Sequence, residues 1–285
     1  MGRLARWLGR AAQTTRDTAG MATLAVFGYG NMGQAVIEGA VRAKVVDARD
    51  VLVVEPDPSK RDDAARLGCR VGIAQEARSS TAALLAVKPQ SFAELAPQLS
   101  GRSGRTTFIS VMAGLSGESI LRAIGDGTPH AVIRAMPNTP CRLGEGMTGI
   151  ALSPAAVAGD ELLAERLFGA VGRTARVDES MLDAVTATSA SGPAYLFLLA
   201  EAWELAAIEL GFDAVTAREL VRQTIVGAAR MLEDRSADAA SLRAAVTSKG
   251  GTTAAAVAVL EARGFADAMR DALAAAARRG RELGR

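Results

Sequence analysis

Hydrophobic and polar positions divide the first part of the chain into short apolar runs separated by longer amphipathic stretches. The apolar runs predict buried strands, and apolar residues at i, i+3 and i+4 spacing predict helices. Strands are predicted at residues 23–28, 51–54, 82–87, 106–111 and 131–134. Helices are predicted at 31–43 and 58–67. Strands that alternate with helices in this way favour right-handed βαβ units and a parallel sheet with helices on both faces.

The pattern changes after about residue 178, where β-branched runs become rare. The remaining apolar positions predict helices at 181–210, 214–232, 253–262 and 265–279. These helices are too apolar to face water alone, so subunit association is expected. The predicted fold is an α/β Rossmann-type dinucleotide-binding domain at 21–177, followed by an all-α dimerisation domain at 178–285. Residues 1–20 are predicted to be a disordered tail.

Composition excludes several classes of function. The chain has 285 residues, of which 49% are hydrophobic and 22% charged, so two ordinary domains with packed cores are possible. A net charge of +2 gives no electrostatic argument for a nucleic acid or a membrane as partner. No apolar run reaches the roughly 18 to 20 residues that span a bilayer. A cytoplasmic protein is therefore expected.

Metal chemistry is not expected from this sequence. Cys69 and Cys141 are the two cysteines and His130 is the single histidine, which is too few ligands for a zinc site. The cysteines are expected to be free thiols, and His130 an ordinary loop residue. The arginine-rich segment 3–10 offers an alternative, a short basic amphipathic helix for a membrane surface or organelle import. A simple tail, or an upstream start before Met21, is the preferred interpretation.

The first predicted strand leads into a glycine motif that opens a helix. The motif is G-x-G-x-x-G, formed by Gly28, Tyr29, Gly30, Asn31, Met32 and Gly33. Such glycines allow a tight turn and a close approach of the backbone to a pyrophosphate, which the helix N-terminus stabilises. A side chain at Gly30 or Gly33 is expected to fill the space that the pyrophosphate needs. This context predicts bound NADP or NAD.

The second strand ends at a carboxylate, Glu55, 22 residues after Gly33. An acid at this place usually accepts hydrogen bonds from the ribose hydroxyls of NAD, and it disfavours the 2′-phosphate of NADP. Lys60 and Arg61 follow within one helical turn and could offset that charge. The sequence therefore favours NAD without excluding NADP.

Four further segments carry a resemblance to a known family. They are Ala-Val-Lys-Pro-Gln at 86–90, Arg-Ala-Met-Pro-Asn-Thr-Pro at 134–140, Ser-Gly-Pro-Ala-Tyr at 191–195 and Val-Thr-Ser-Lys-Gly-Gly-Thr-Thr at 246–253. Their order and spacing resemble the pyrroline-5-carboxylate reductases over about residues 22–280. The resemblance implies NAD(P)H-dependent reduction of 1-pyrroline-5-carboxylate, a small imine, to L-proline in the last step of proline biosynthesis. It also implies an interlocked homodimer or a higher homo-oligomer.

The resemblance assigns site residues in three segments. The residues implied to line the cofactor are Ala86, Val87, Lys88, Pro89, Val111, Met112 and Ala113. Those implied to hold the substrate are Ser248, Gly251, Thr252 and Thr253. Thr253 is the implied catalytic residue, bonding the ring nitrogen, and the glycine turn that opens a helix suits the substrate carboxylate. The chain departs from the family pattern at Gln75, Ala190 and Lys249.

Two alternatives stay open from the residues alone. One is a reductase of another small cyclic imine or of a 2-oxo acid on the same scaffold. Related 3-hydroxyacid dehydrogenases use a helix-borne lysine as acid and base, whereas the helical half here has one lysine, Lys249, in a predicted loop. The other alternative is a non-catalytic NAD(P)-binding regulator, against which the intact segment 248–253 argues.

Overall fold

The computed structural model describes residues 23–234 and 236–283, with side chains up to residue 282. The tail predicted at 1–20 lies outside the described residues. The chain divides into two compact units. The first holds the described residues up to Ala190 together with those from Ala277 onward, and the second is Ser191–Ala276. The domain boundary predicted at 177/178 stays a prediction.

The first unit is built on an eight-stranded sheet with the order β3-β2-β1-β4-β5-β6-β7-β8. The strands are β1 Leu24–Phe27, β2 Val51–Val54, β3 Arg70–Val71, β4 Ala82–Leu85, β5 Thr107–Ser110, β6 Ala131–Met136, β7 Gly146–Leu152 and β8 Gly172–Arg176. All five predicted strands are present. Neighbouring strands from β3 through β6 run parallel, with the strand order expected of a dinucleotide-binding sheet.

The predicted parallel sheet is confirmed, with one antiparallel pairing among the described strands, between β6 and β7, that the sequence pattern did not indicate. The two strands are joined by a short segment that contains one 3-10 turn, Thr139–Leu143. A parallel crossover needs a dozen or more residues, usually including a helix, so this connection returns the chain antiparallel. No apolar run marks β7 or β8 in the sequence, because β7 holds two glycines and β8 reads Gly-Arg-Thr-Ala-Arg.

The helices of both units lie between and after these strands. They are α1 Asn31–Arg42, α2 Pro58–Leu67, α3 Phe92–Leu95, α4 Gly117–Ile124, α5 Leu162–Gly169, α6 Leu182–Val185, α7 Gly192–Glu209, α8 Ala214–Met231, α9 Ala239–Ala245, α10 Thr252–Ala262 and α11 Phe265–Leu283. Predicted helix 58–67 is confirmed at both ends. Asp57 caps its first turn by accepting from Ser59 N at 2.8 Å, and Gly68 ends it in the left-handed conformation.

The single helix predicted at 181–210 is wrong, because it is interrupted. α6 ends at Val185, a π-helical turn follows at Thr186–Ala190, and α7 begins at Gly192. Pro193 explains the break. Its ring has no N–H to donate to an upstream carbonyl, so it is tolerated in the first turn of a helix and disruptive further in.

The central strands β1, β2 and β4 are buried on both faces of the sheet, which is why each is a continuous apolar run in the sequence. Along β1, Leu24 and Val26 pack into one hydrophobic cluster, while Ala25 and Phe27 pack into another on the opposite face. The second unit differs, since large apolar side chains of α7 are exposed within this chain. Phe197 is 70% exposed and Leu196 53% exposed. Exposure on this scale marks a surface that another protein chain covers.

Candidate active site

The carboxyl ends of four parallel strands meet at one edge of the sheet. Phe27 of β1 is in register with Val54 of β2 and Leu85 of β4, and Leu85 is in register with Ser110 of β5. The loops that follow these residues are therefore neighbours. β1 and β4 lie side by side at the point where the strand order reverses, and the crevice outside such a switch point is where α/β sheets bind ligands.

The three glycines of the motif do different things. Gly28 has a φ of +94°, and a Cβ there would lie 2.7 Å from the Ala86 carbonyl oxygen. A Cβ on Gly33 would overlap the carbonyl oxygen of Gly28. A Cβ on Gly30 would meet no atom within 4 Å. The expected reason for glycine at 33 is therefore corrected: it permits close packing of helix on strand, and Gly30 is the glycine that borders open space.

The N-terminus of α1 has no side-chain cap. Its N-cap residue is Gly30, whereas α2, α4, α8 and α9 are capped by Asp57, Ser116, Asp213 and Asp238. The first amides of a helix have no intrahelical acceptor, so an uncapped first turn presents several N–H donors and the positive end of the helix dipole. These are the components of an anion site beside the open space at Gly30.

Glu55 is fixed against this loop by two backbone groups. Its Oε2 accepts from the Tyr29 N–H at 2.6 Å, and its Oε1 accepts from the Asp57 N–H at 3.0 Å. Arg61 lies close by, donating through Nη1 to the Pro56 carbonyl at 3.2 Å. Lys60 instead pairs with Asp63 at 3.8 Å. Of the two cations suggested by the sequence, Arg61 is thus the one placed near the carboxylate.

A cavity of about 770 Å³ opens at this edge of the sheet. The sequence-predicted residues that line it are Gly28, Gly30, Glu55, Ala86, Val87 and Lys88. Gln75 and Arg61 line it as well. A volume of this size falls within the range of small-molecule and cofactor sites.

Other predicted cofactor residues do not line this cavity. They are Tyr29, Asn31, Met32, Gly33, Pro89, Val111, Met112 and Ala113. Tyr29 and Met112 are 0% and 1% exposed, so their side chains face the core, and their cofactor role stays a prediction. The Tyr29 hydroxyl is buried without a hydrogen-bond partner among the described residues, and burial raises its pKa.

The predicted substrate segment forms a loop in the second unit, between α9 and α10. The Gly251 N–H donates to the Ser248 carbonyl at 3.0 Å, and Gly250 has a φ of +73° that favours glycine in this turn. Gly251 is the N-cap of α10 and provides no side chain to cap it. Thr252 and Thr253 occupy its first turn and are exposed. The loop therefore repeats the uncapped, glycine-led helix start found at α1.

Sequence reasoning assigned no role to individual residues of segment 134–140. Asn138 donates through Nδ2 to the Ser189 carbonyl at 3.2 Å and accepts at Oδ1 from the Met147 N–H at 2.8 Å. Arg134 is buried in β6 and lies 3.7 Å from Glu179. One signal was available, because an arginine inside the apolar run Ala-Val-Ile-Arg-Ala-Met requires specific partners.

The two cysteines and the histidine are buried and do not form a metal site with one another. Cys69 and Cys141 are buried free thiols, and burial raises the pKa of Cys69 to about 11. His130 lies in the loop before β6, as predicted, but it is only 1% exposed, and its Nδ1 accepts from the Thr106 N–H at 3.0 Å. Across residues 23–234 and 236–283, no group of three metal-ligating side chains occurs and no helix could cross a membrane.

Comparisons with known proteins agree with this architecture. The family model "Pyrroline-5-carboxylate reductase dimerisation" matches residues 179–283, and the model "NADP oxidoreductase coenzyme F420-dependent" matches residues 23–114. The pyrroline-5-carboxylate reductase of a Synechocystis strain is 38% identical, covering 92% of this chain and 98% of its own length. The enzyme of that name from Haemophilus influenzae is 41% identical, covering 91% and 97% respectively.

Solved structures of pyrroline-5-carboxylate reductases also resemble this chain. A pyrroline-5-carboxylate reductase from Coxiella burnetii superposes with a TM-score of 0.83 at 32% identity, covering 93% of this chain and 99% of that one. The Plasmodium falciparum enzyme, solved with NADP bound, has a TM-score of 0.80 at 24% identity, covering 93% and 100% respectively, and it supports the fold. The dimerisation match agrees with the exposed apolar face of α7 and indicates a homo-oligomer. The chain belongs to the pyrroline-5-carboxylate reductase family.

Proposed function

We propose that this chain reduces 1-pyrroline-5-carboxylate to L-proline with a reduced nicotinamide dinucleotide, the last step of proline biosynthesis in the cytoplasm. The observation that carries the proposal is similarity over nearly the whole length of enzymes with that name. Two features of the chain support it independently. These are the cavity beside the glycine motif and the glycine-led loop at 248–253.

The first unit would hold the cofactor. The uncapped amides of α1 suit the pyrophosphate, and Gly30 leaves the space for it. Glu55 has a fixed carboxylate at the place where a ribose is bound in such sheets. When bound, the reduced nicotinamide supplies the hydride that the imine carbon accepts. The work left to the protein is to orient the two molecules and to stabilise their charges.

NADH is the proposed preference over NADPH. Both Glu55 oxygens accept backbone N–H groups, so the carboxylate is held in place. A 2′-phosphate brought beside it would meet a like charge. Arg61 and Lys88 both line the cavity, and their positive charges could offset that repulsion. Glu55, however, is the charged group that two backbone hydrogen bonds fix in place, and NADH is therefore the cofactor that we expect to be preferred.

The loop 248–253 would hold the substrate. Backbone N–H groups at the start of α10, with the Ser248 and Thr252 hydroxyls, suit a carboxylate for the same reason that α1 suits a phosphate. The Thr253 hydroxyl would accept a hydrogen bond from the protonated ring nitrogen. Because the protonated imine is already electrophilic, no histidine, cysteine or lysine is required as a base.

A steady-state assay tests the proposal directly. Purified protein is incubated with 1-pyrroline-5-carboxylate and either NADH or NADPH, while cofactor oxidation is followed by absorbance and proline is quantified by chromatography. We expect stoichiometric proline and a higher kcat/KM with NADH. A six-membered cyclic imine and a 2-oxo acid serve as competing substrates. A clear preference for either of them would refute the proposed substrate, and cofactor binding without turnover of any substrate would favour a regulator.

A further inference from the structure

Arg134 is a charged residue inside an otherwise apolar strand. Its side chain is 7% exposed, and its neighbours in β6 are apolar. Nη2 donates to the Met112 carbonyl at 3.4 Å, Nη1 lies 3.7 Å from Glu179 Oε1, and Nε has no partner among the described residues. Burial lowers the pKa of the guanidinium, and the Glu179 and Asp183 carboxylates oppose that shift.

This arrangement is poorly explained by stability alone. Removing a guanidinium from water is costly, and a buried ion pair commonly gives no more stability than apolar residues of similar volume. A pair at 3.7 Å with one nitrogen unpaired among the described residues is not an optimised stabilising contact. An apolar residue at this position would fit the buried strand β6 at least as well. The function of Arg134 must therefore be sought in the group that it holds, which is the carbonyl of Met112.

Met112 lies in the loop between β5 and α4. Its side chain is buried, and its N–H donates to Ser110 Oγ at 3.3 Å. The other end of the loop is held by Glu179, whose Oε1 accepts from the Gly117 N–H at 2.7 Å, at the start of α4. A carboxylate at a helix N-terminus is electrostatically favourable. Arg134 and Glu179 together therefore hold both ends of segment 112–117.

We infer that Arg134 is a positioning residue that sets the backbone of residues 111–113 for the cofactor, with Glu179 neutralising its charge and holding the start of α4. The inference rests on the proposed function, because the cofactor role of residues 111–113 is part of it. The loop follows β5, next to the cavity strand β4, at the carboxyl edge of the sheet. Arg134 itself touches neither cofactor nor substrate in this assignment.

Four variants separate positioning from stability. Arg134→Met removes the donor to Met112 and leaves Glu179 without the Arg134 charge beside it, so the melting temperature should fall and kcat/KM should drop roughly 10- to 100-fold, as for displaced site geometry. Glu179→Gln keeps that donor, so kcat/KM should stay within about threefold of wild type. The double variant Arg134→Met/Glu179→Gln should recover melting temperature without recovering kcat/KM. Arg134→Lys keeps a donor and should recover part of the activity.

The matched control is Arg122→Met on α4, which removes an exposed arginine and its surface pair with Glu118. It should leave activity unchanged. NADH affinity is measured by nicotinamide fluorescence on every variant, without substrate. If the double variant regains kcat/KM together with melting temperature, Arg134 acts through stability and the inference is overturned. Wild-type kinetics in Arg134→Met also overturn it while the proposed function stands; a wild-type chain that binds neither NADH nor NADPH refutes both.

Discussion

The two glycines at 30 and 33 should respond in opposite ways to the same small substitution. Gly30 borders open space, and its backbone, with φ −72° and ψ −169°, is one that alanine adopts freely. Gly30→Ala should therefore cost about 0.5–1 kcal/mol of stability or less, as expected when alanine replaces glycine at an N-cap. The added methyl group would project into the space assigned to the pyrophosphate. The dissociation constant for NADH should then rise at least about tenfold, which corresponds to about 1.4 kcal/mol.

Gly33→Ala places its methyl group against the backbone oxygen of Gly28 and 3.3 Å from the Ala86 Cβ. A carbonyl oxygen on a tight turn cannot rotate away as a flexible side chain can, so α1 must shift from β1. Overpacking of this kind typically costs about 1–3 kcal/mol. For a chain of this size, that loss lowers the melting temperature by several degrees, or about 2–4 °C per kcal/mol.

The assay measures melting temperature and NADH fluorescence titration on both purified variants and the wild type. Gly30→Ala should lose NADH affinity with only a small drop in melting temperature, whereas Gly33→Ala should show the larger drop in melting temperature. Gly227→Ala is the control, since this glycine lies within α8, does not line the cavity, and has open space where a Cβ would lie. It should leave NADH affinity unchanged and raise stability slightly. If Gly30→Ala binds NADH as tightly as wild type, the placement of the pyrophosphate at α1 is refuted.

Three further predictions concern single side chains. Glu55→Ser should raise the NADPH-to-NADH ratio of kcat/KM about tenfold or more, or about 1.4 kcal/mol, and an unchanged ratio would exclude Glu55 as the selector. Thr253→Ala should lower kcat/KM by roughly 10- to 100-fold with NADH affinity intact, because a hydrogen bond to a charged partner contributes about 1.5–3 kcal/mol. Thr253→Ser keeps the hydroxyl and should retain activity. A lower melting temperature with normal kinetics in Thr253→Ala would contradict the proposed role. Tyr29→Phe removes a buried hydroxyl that lacks a partner among the described residues, so unfolding free energy should rise by about 1 kcal/mol; a fall would show that the hydroxyl is satisfied.

The parts of the fold predicted from the sequence are those in which local and tertiary signals agree. β1, β2 and β4 are buried on both faces, so each is a run of apolar residues, and α2 has a cap, a first-turn proline and a terminal glycine. β3, β7 and β8 were not predicted, because their residues show no local strand pattern and take up strand structure through pairing with neighbouring strands. The break before α7 was overlooked, although Pro193 gives its reason.

The candidate site shows a different limit. The motif identifies the glycine loop, but it cannot tell Gly30, which borders a cavity, from Gly33, which packs against Gly28, because that difference depends on the neighbouring loop at Ala86. A segment assigned as cofactor-lining likewise does not say which groups face the ligand. The side chain of Met112 is buried, so only its backbone groups can bear on the site. The Met112 carbonyl accepts a hydrogen bond from Arg134, which lies 22 positions along the chain. Such pairing is set by strand register, which local sequence patterns do not specify.

The two proposed ligand sites share one physical device. α1 and α10 each begin at a glycine that provides no cap, while four other helices place an aspartate or serine at the same position. An aspartate at Gly30 or Gly251 would place a negative charge where the ligand is to bring one, and it would occupy the amides that the ligand needs. Both proposed ligands present an anionic group, a pyrophosphate or a carboxylate. Leaving these two helix starts without a cap therefore lowers folding stability slightly and favours binding. Uncapped backbone amides can bind these anionic groups, a task for which other proteins use lysine or histidine side chains. The helical half of this chain has a single lysine, Lys249, and no histidine.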